Sequence, residues 1–92
     1  MIRALVLYDE EPDQQRYAEH AELCRKVPGS TFRHGRVFAA PMGEPQHRYY
    51  AEWEWPDMDA FKAAARSEEF MATGKDAMAM GGRFTVEFAD LN

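Results

Sequence analysis

The sequence predicts an α+β fold in which helices cover one face of a four-stranded antiparallel sheet. Three observations predict it. Residues 47–55 and 83–89 alternate apolar and polar side chains with the period of two that marks a strand. Residues 14–27 repeat apolar side chains at spacings of three and four, the period of a helical face. The elements then follow in the order strand, helix, strand, strand, helix, strand, a split βαβ arrangement.

Ile2 to Tyr8 (IRALVLY) is an apolar run of strand length and reads as a central strand. Acids and Pro12 follow, which suit the opening of a helix. Gln14 to Val27 is the first helix, and the chain is organised around it. Tyr17, Ala21, Cys24 and Val27 share its apolar face, with Leu23 alongside, while Glu19, Glu22, Arg25 and Lys26 lie opposite. Arg25 and Lys26 fall in the last turn, where cations complement the helix dipole. Pro28-Gly29 stops the helix. Ser30 to Ala40 holds a second strand, with Phe32, His34, Arg36 and Phe38 on one side. Residues 41–45 (PMGEP) are a loop.

His47 to Trp55 places Tyr49, Ala51, Trp53 and Trp55 on one side of a strand and Arg48, Tyr50, Glu52 and Glu54 on the other. Pro56 ends it and Asp57 offers an N-cap for a helix over Met58 to Arg66. Ser67 is a fresh N-cap, and Phe70 to Met80 continues as a second helical segment until Gly81-Gly82. Arg83 to Ala89 closes the fold as a strand, with Phe84, Val86 and Phe88 on one side. This is the ferredoxin-like βαββαβ topology, carried by one domain over residues 1–92.

The two apolar rows are expected to meet the helices. The opposite sheet face then carries Tyr50, Glu52, Glu54, Thr85 and Glu87, with Leu5 and Leu7 exposed among them. A second copy packed sheet to sheet would cover those leucines, and a lone domain with a solvated face is the alternative. A net charge of −5 leaves no basic stripe for phosphates, so nucleic acid is excluded as a partner. No apolar run approaches the ~20 residues of a membrane span. The single Cys24 cannot form an internal disulfide, which suits a reducing, cytoplasmic setting.

His20 is the residue of greatest chemical interest. It lies three residues after Tyr17 and four before Cys24, so its ring faces whatever the helix packs on. An imidazole there can take or give a proton near neutral pH, with Tyr17 one turn away. A half-buried histidine bonded to a backbone carbonyl is the plainer alternative. His34 is a second candidate, for which a cross-strand Glu52 or Glu54 is the plainer partner. The three histidines show no metal-ligand spacing, so no metal is expected. Tyr50, Trp53, Phe70, Met71 and Met78, with His34, are candidate ligand-binding residues, because aromatic and methionine side chains make adaptable apolar pockets. Plain core packing also explains most of them. Salt bridges to Arg36, Arg48 or Arg83 account for Glu52 and Glu54. There is no Gly-rich phosphate loop, nucleophile elbow or CxxC pair.

The chain resembles the EthD family, small proteins of the dimeric α/β-barrel superfamily named from an operon for degrading ethyl tert-butyl ether. The resemblance is carried by Leu7-Tyr8 and by Tyr17, His20 and Leu23 leading into Pro28-Gly29. It continues through Gly43-Glu44-Pro45, the strand at Tyr49 to Glu52, the helix start at Asp57 to Phe61, Ser67-Glu68, Asp76 and Gly81-Gly82. One position departs: Glu22 stands where the family usually has proline, which favours a more regular helix. The resemblance implies a homodimer with a pocket between sheet and helices. It implies a small, largely apolar or aromatic metabolite of degradative or secondary metabolism. It further implies cofactor-free proton transfer of the cyclase, isomerase or dehydratase kind. In that reading His20 is the general base or acid, and Tyr17 or Tyr50 orients a substrate oxygen. The alternatives are a non-catalytic ligand carrier or accessory to an oxygenase system, and a reductase or monooxygenase of the kind some family labels suggest. No residues suited to a nicotinamide or flavin are present, so no cofactor is expected.

Overall fold

The computed structural model describes all 92 residues. Its elements are β1 (Ile2–Tyr8), α1 (Gln14–Arg25), β2 (Thr31–Arg36), β3 (Tyr49–Trp55), α2 (Met58–Ala65), α3 (Glu68–Met80) and β4 (Phe84–Asp90). The four strands form one sheet in the order β2-β3-β1-β4, and every neighbouring pair is antiparallel. This is the expected ferredoxin-like βαββαβ fold.

The period-two rows decide which face is buried. Ile2, Ala4, Val6 and Tyr8 of β1 and Tyr49, Ala51, Trp53 and Trp55 of β3 are all buried under the helices. α1 answers with Tyr17, His20, Ala21 and Cys24, α2 with Ala64, and α3 with Thr73 and Ala77. Asp13, Asp57 and Ser67 cap the three helices, each side chain accepting from the backbone N–H three residues on at 2.8–3.1 Å. The row Phe84, Val86 and Phe88 lies on the same face, opposite Tyr8, Val6 and Ala4. The helices cover it incompletely: Val86 is 44% exposed and Phe88 55%.

Several boundaries differ from the sequence reading, β3 beginning at Tyr49 rather than His47 among them, and two of the differences have a clear physical cause. β2 ends at Arg36, because β3 starts only at Tyr49 and residues 38–40 have no strand to pair with. Val37 makes the last bond, its N–H donating to the Arg48 carbonyl at 3.0 Å, and Phe38 is left 93% exposed. α1 ends two residues before Val27, since the residue preceding a proline is pushed out of helical geometry. The turn that follows places Gly29 at φ +70°, where a side chain would be strained. Trp55 Nε1 donates to the Pro28 carbonyl at 3.1 Å and so ties β3 to that turn.

On the free face, Leu5 lies between Glu52 and Glu87 in register, and Leu7 between Tyr50 and Thr85. Both leucines are half-buried. The partners of the glutamates are not Arg36, Arg48 or Arg83. Arg3 and Arg33 reach across to Glu52 and Glu54, while Arg36 pairs with Glu11 and Arg48 with Glu44. Burial alone would push Glu52 up, but the Tyr50 hydroxyl, Arg33 and Arg3 outweigh it and hold the carboxyl below the usual carboxylate range.

Candidate functional site

α1 and α3 lie side by side on the sheet, and the site forms where they meet. His20 is 3% exposed. Its Nδ1 lies 2.8 Å from an Asp76 carboxylate oxygen of α3. Arg16, one turn earlier on α1, grips the same carboxylate with two guanidinium nitrogens at 2.6 and 3.2 Å. That guanidinium, helped by His20 and opposed by partial burial, holds the Asp76 carboxyl below its ordinary value. An ionised carboxylate can only accept, so Nδ1 carries the hydrogen, and in the neutral ring Nε2 carries the lone pair. The ring's hydrogen bond within the protein is made through Nδ1, and none is made through Nε2.

His20 lines an apolar cavity of about 170 Å³ between sheet and helices. Small residues create that space: Ala51 of β3 and Gly74 and Ala77 of α3 all border it, and a Cβ added at Gly74 would meet nothing within 4 Å. Trp53, Phe70 and Phe88 supply the aromatic walls. No lysine, arginine, aspartate or glutamate lines it. Cys24 also borders it, and burial pushes its thiol up to about 12, so it stays an unreactive thiol. No group of three or more histidine, cysteine, aspartate or glutamate side chains gathers around a point that a metal would occupy. No helix is long and apolar enough to cross a membrane.

Four of the residues singled out in the sequence come together here: Tyr17, His20, Trp53 and Phe70. The Tyr17 ring sits 5.3 Å from the His20 ring, and its hydroxyl is 3.1 Å from that of Tyr8. The other four lie elsewhere. His34 is behind Tyr17, with ring centres 5.0 Å apart, and its Nδ1 is 2.6 Å from the Tyr49 hydroxyl rather than bonded to a glutamate. Burial pushes His34 down, favouring the neutral ring. Tyr50 is on the free face, donating to Glu52 at 2.6 Å. Met71 and Met78 point outward, 54% and 75% exposed. Asp76 and Arg16 were not singled out for this chemistry. The usable signals were an arginine one turn before an inward histidine and a carboxylate beside the Thr73–Ala77 stripe. Their meeting across 60 residues of sequence has no local signature.

Residues 8–83 match the EthD domain. The chain is similar to an ethyl tert-butyl ether D (EthD) family protein of Bacillus halodurans, with 31% identity, 100% of this chain and 99% of that one covered, and a TM-score of 0.83. A dimeric ferredoxin-like protein of unknown function from Jannaschia sp. CCS1 shares 21% identity over 98% of both chains at a TM-score of 0.73. The cofactor-independent oxygenase SnoaB of Streptomyces nogalater shares 17% identity over 98% of this chain and 91% of its own, at a TM-score of 0.62. No curated protein matches the sequence.

Proposed function

Because the chain belongs to the EthD family, we propose that it binds a small, largely apolar metabolite beside His20 and moves a proton on it without a cofactor. The observation that carries this reading is the His20–Asp76 pair at 2.8 Å, which uses Nδ1 and leaves Nε2 unbonded on a residue that lines an uncharged cavity. Asp76 fixes the tautomer and stabilises the imidazolium formed when Nε2 takes a proton, while Arg16 keeps Asp76 ionised. Tyr17 holds the imidazole edge and acts as a positioning residue. Isomerisation, cyclisation and dehydration all start from such a step. The test compares wild type with His20→Ala across a panel of small aromatic and polyketide-like compounds. Turnover falls at least a hundredfold in the variant. Equal turnover removes His20 from the chemistry, and saturable binding without product makes the protein a ligand carrier instead.

The same reading includes a homodimer, in line with the dimeric relative that shares this fold. Leu5 and Leu7 motivate it, being apolar side chains set between acids and a tyrosine on a face no helix covers. Replacing both by glutamate adds charge beside Glu52 and Glu87, so the solution mass drops from two chains to one. An unchanged mass rules out this face as the contact. A soluble, cytoplasmic role fits the single unpaired cysteine.

A further inference from the structure

The hydroxyls of Tyr8 and Tyr17 share one hydrogen, at 3.1 Å. Two phenols carry two hydrogens, so one remains uncommitted. Both phenols line the apolar cavity, but Tyr17 is 1% exposed, whereas Tyr8 also lines a polar recess of about 510 Å³ beside the start of α1. The free hydrogen therefore belongs to Tyr8, with Tyr17 donating to it. Burial pushes the Tyr8 phenol up to about 12, so it remains a donor at neutral pH, and the bond from Tyr17 acts in the opposite direction, as it does for an acceptor.

Resting on the reading of His20 as the base, we infer that the Tyr8 phenol donates to the substrate oxygen, which makes the substrate an uncharged carbonyl compound with one ring in the cavity and the reaction its enolisation. Nε2 of His20 takes a proton from the carbon next to the carbonyl. The C–H electron pair becomes the carbon–carbon double bond, and the carbonyl π pair moves onto oxygen, where the Tyr8 hydrogen bond meets the growing charge. Return of the proton to carbon completes exchange or isomerisation, with no oxidant or reductant consumed. Size follows from the volume: a cavity of about 150 Å³ takes one benzene ring, and this one, about 170 Å³ and open beside the exposed Val86 and Phe88, holds one ring of the substrate. Charge follows from the lining. No guanidinium lines the cavity, and Arg16, one turn from His20, is committed to Asp76, so a buried carboxylate would find no partner.

The experiment uses acetophenone and α-methylstyrene, which differ by a methylene in place of the carbonyl oxygen. Ligand-observed NMR gives the affinity ratio of the two probes for wild type, Tyr8→Phe and Tyr49→Phe, each checked for its native amide spectrum. Tyr8→Phe lowers the ratio roughly three- to tenfold and leaves α-methylstyrene binding unchanged. Tyr49→Phe, which deletes a neighbouring buried hydroxyl that does not line the cavity, keeps the wild-type ratio. An unchanged ratio in Tyr8→Phe overturns the inference, as does failure of wild type to bind either probe. Exchange of the acetophenone methyl protons in D2O is read separately. It slows about a hundredfold in Tyr8→Phe and stops in His20→Ala. A ratio that falls in Tyr8→Phe while wild type exchanges nothing removes the base and leaves the donor standing.

Discussion

Trp55→Ala lowers the unfolding free energy by about 3–5 kcal/mol, a large share of the roughly 5–15 kcal/mol that holds a domain of this kind together. Trp55 is 1% exposed. Its ring meets Phe61 edge-on at 5.2 Å and stacks along Trp53 at 6.5 Å. Its Nε1 donates to the Pro28 carbonyl, and its Cδ1 lies against the turn at Gly29. Truncation opens a void in the core and frees the turn that starts β2. For a domain of this size each kcal/mol is about 4–8 °C in Tm, so the loss is at least about 12 °C. Trp55→Phe separates the two contributions, keeping most of the packing while losing the Pro28 bond, at about 1 kcal/mol. Met78→Ala, at an exposed position, stays within about 0.5 kcal/mol of wild type. Urea unfolding followed by tryptophan fluorescence reads all three. A Trp55→Ala midpoint equal to that of Met78→Ala would show that the core is centred elsewhere.

Trp55 and Met78 also show what the sequence makes legible. Tyr49, Ala51, Trp53 and Trp55 alternate with polar side chains, and a pleated strand has only two faces to offer, so the buried row could be read directly. The caps at Asp57 and Ser67 were legible for a local reason as well, since a cap bonds only three residues away. The end of β2 was not. Phe32, His34, Arg36 and Phe38 keep alternating past the point where pairing stops, because alternation records the chain and not its neighbour.

The cavity escaped for a different reason. Large flexible side chains in α3 suggested a pocket lined by Met71 and Met78, yet those two sit seven residues apart on the solvent side of the helix. The space comes from what is small: Ala51, Gly74 and Ala77 all border it. Absence of bulk at a contact has no pattern in one sequence, since alanine and glycine are common on any helix. His20 itself could be found from its spacing along α1. Its partner Asp76 lies on another helix, and only the tertiary fold selects that carboxylate over the other acids of the chain.

Asp76→Asn is expected to abolish proton transfer with the imidazole still in place. Arg16 donates to Asp76 through two nitrogens, and in the variant it keeps the amide oxygen. The amide NH2 is then turned toward His20 Nδ1 and donates to it. Nδ1 becomes the acceptor, its hydrogen shifts to Nε2, and the cavity meets an N–H where it had a lone pair. The rate of acetophenone exchange falls on the order of 10²–10⁴-fold, as it does when a base is held in the wrong tautomer. Binding of α-methylstyrene changes little, because no charged group lines the cavity in either protein. Stability carries an independent signature. Asp76 is held below its ordinary value, so its contribution is present above the unfolded value of about 3.9 and is lost as pH falls through the folded one. The Tm gap between wild type and variant is therefore present at about pH 5 and closes in stronger acid. Undiminished exchange in Asp76→Asn, with a gap that ignores acid, would detach Asp76 from His20 and leave the imidazole's tautomer unassigned.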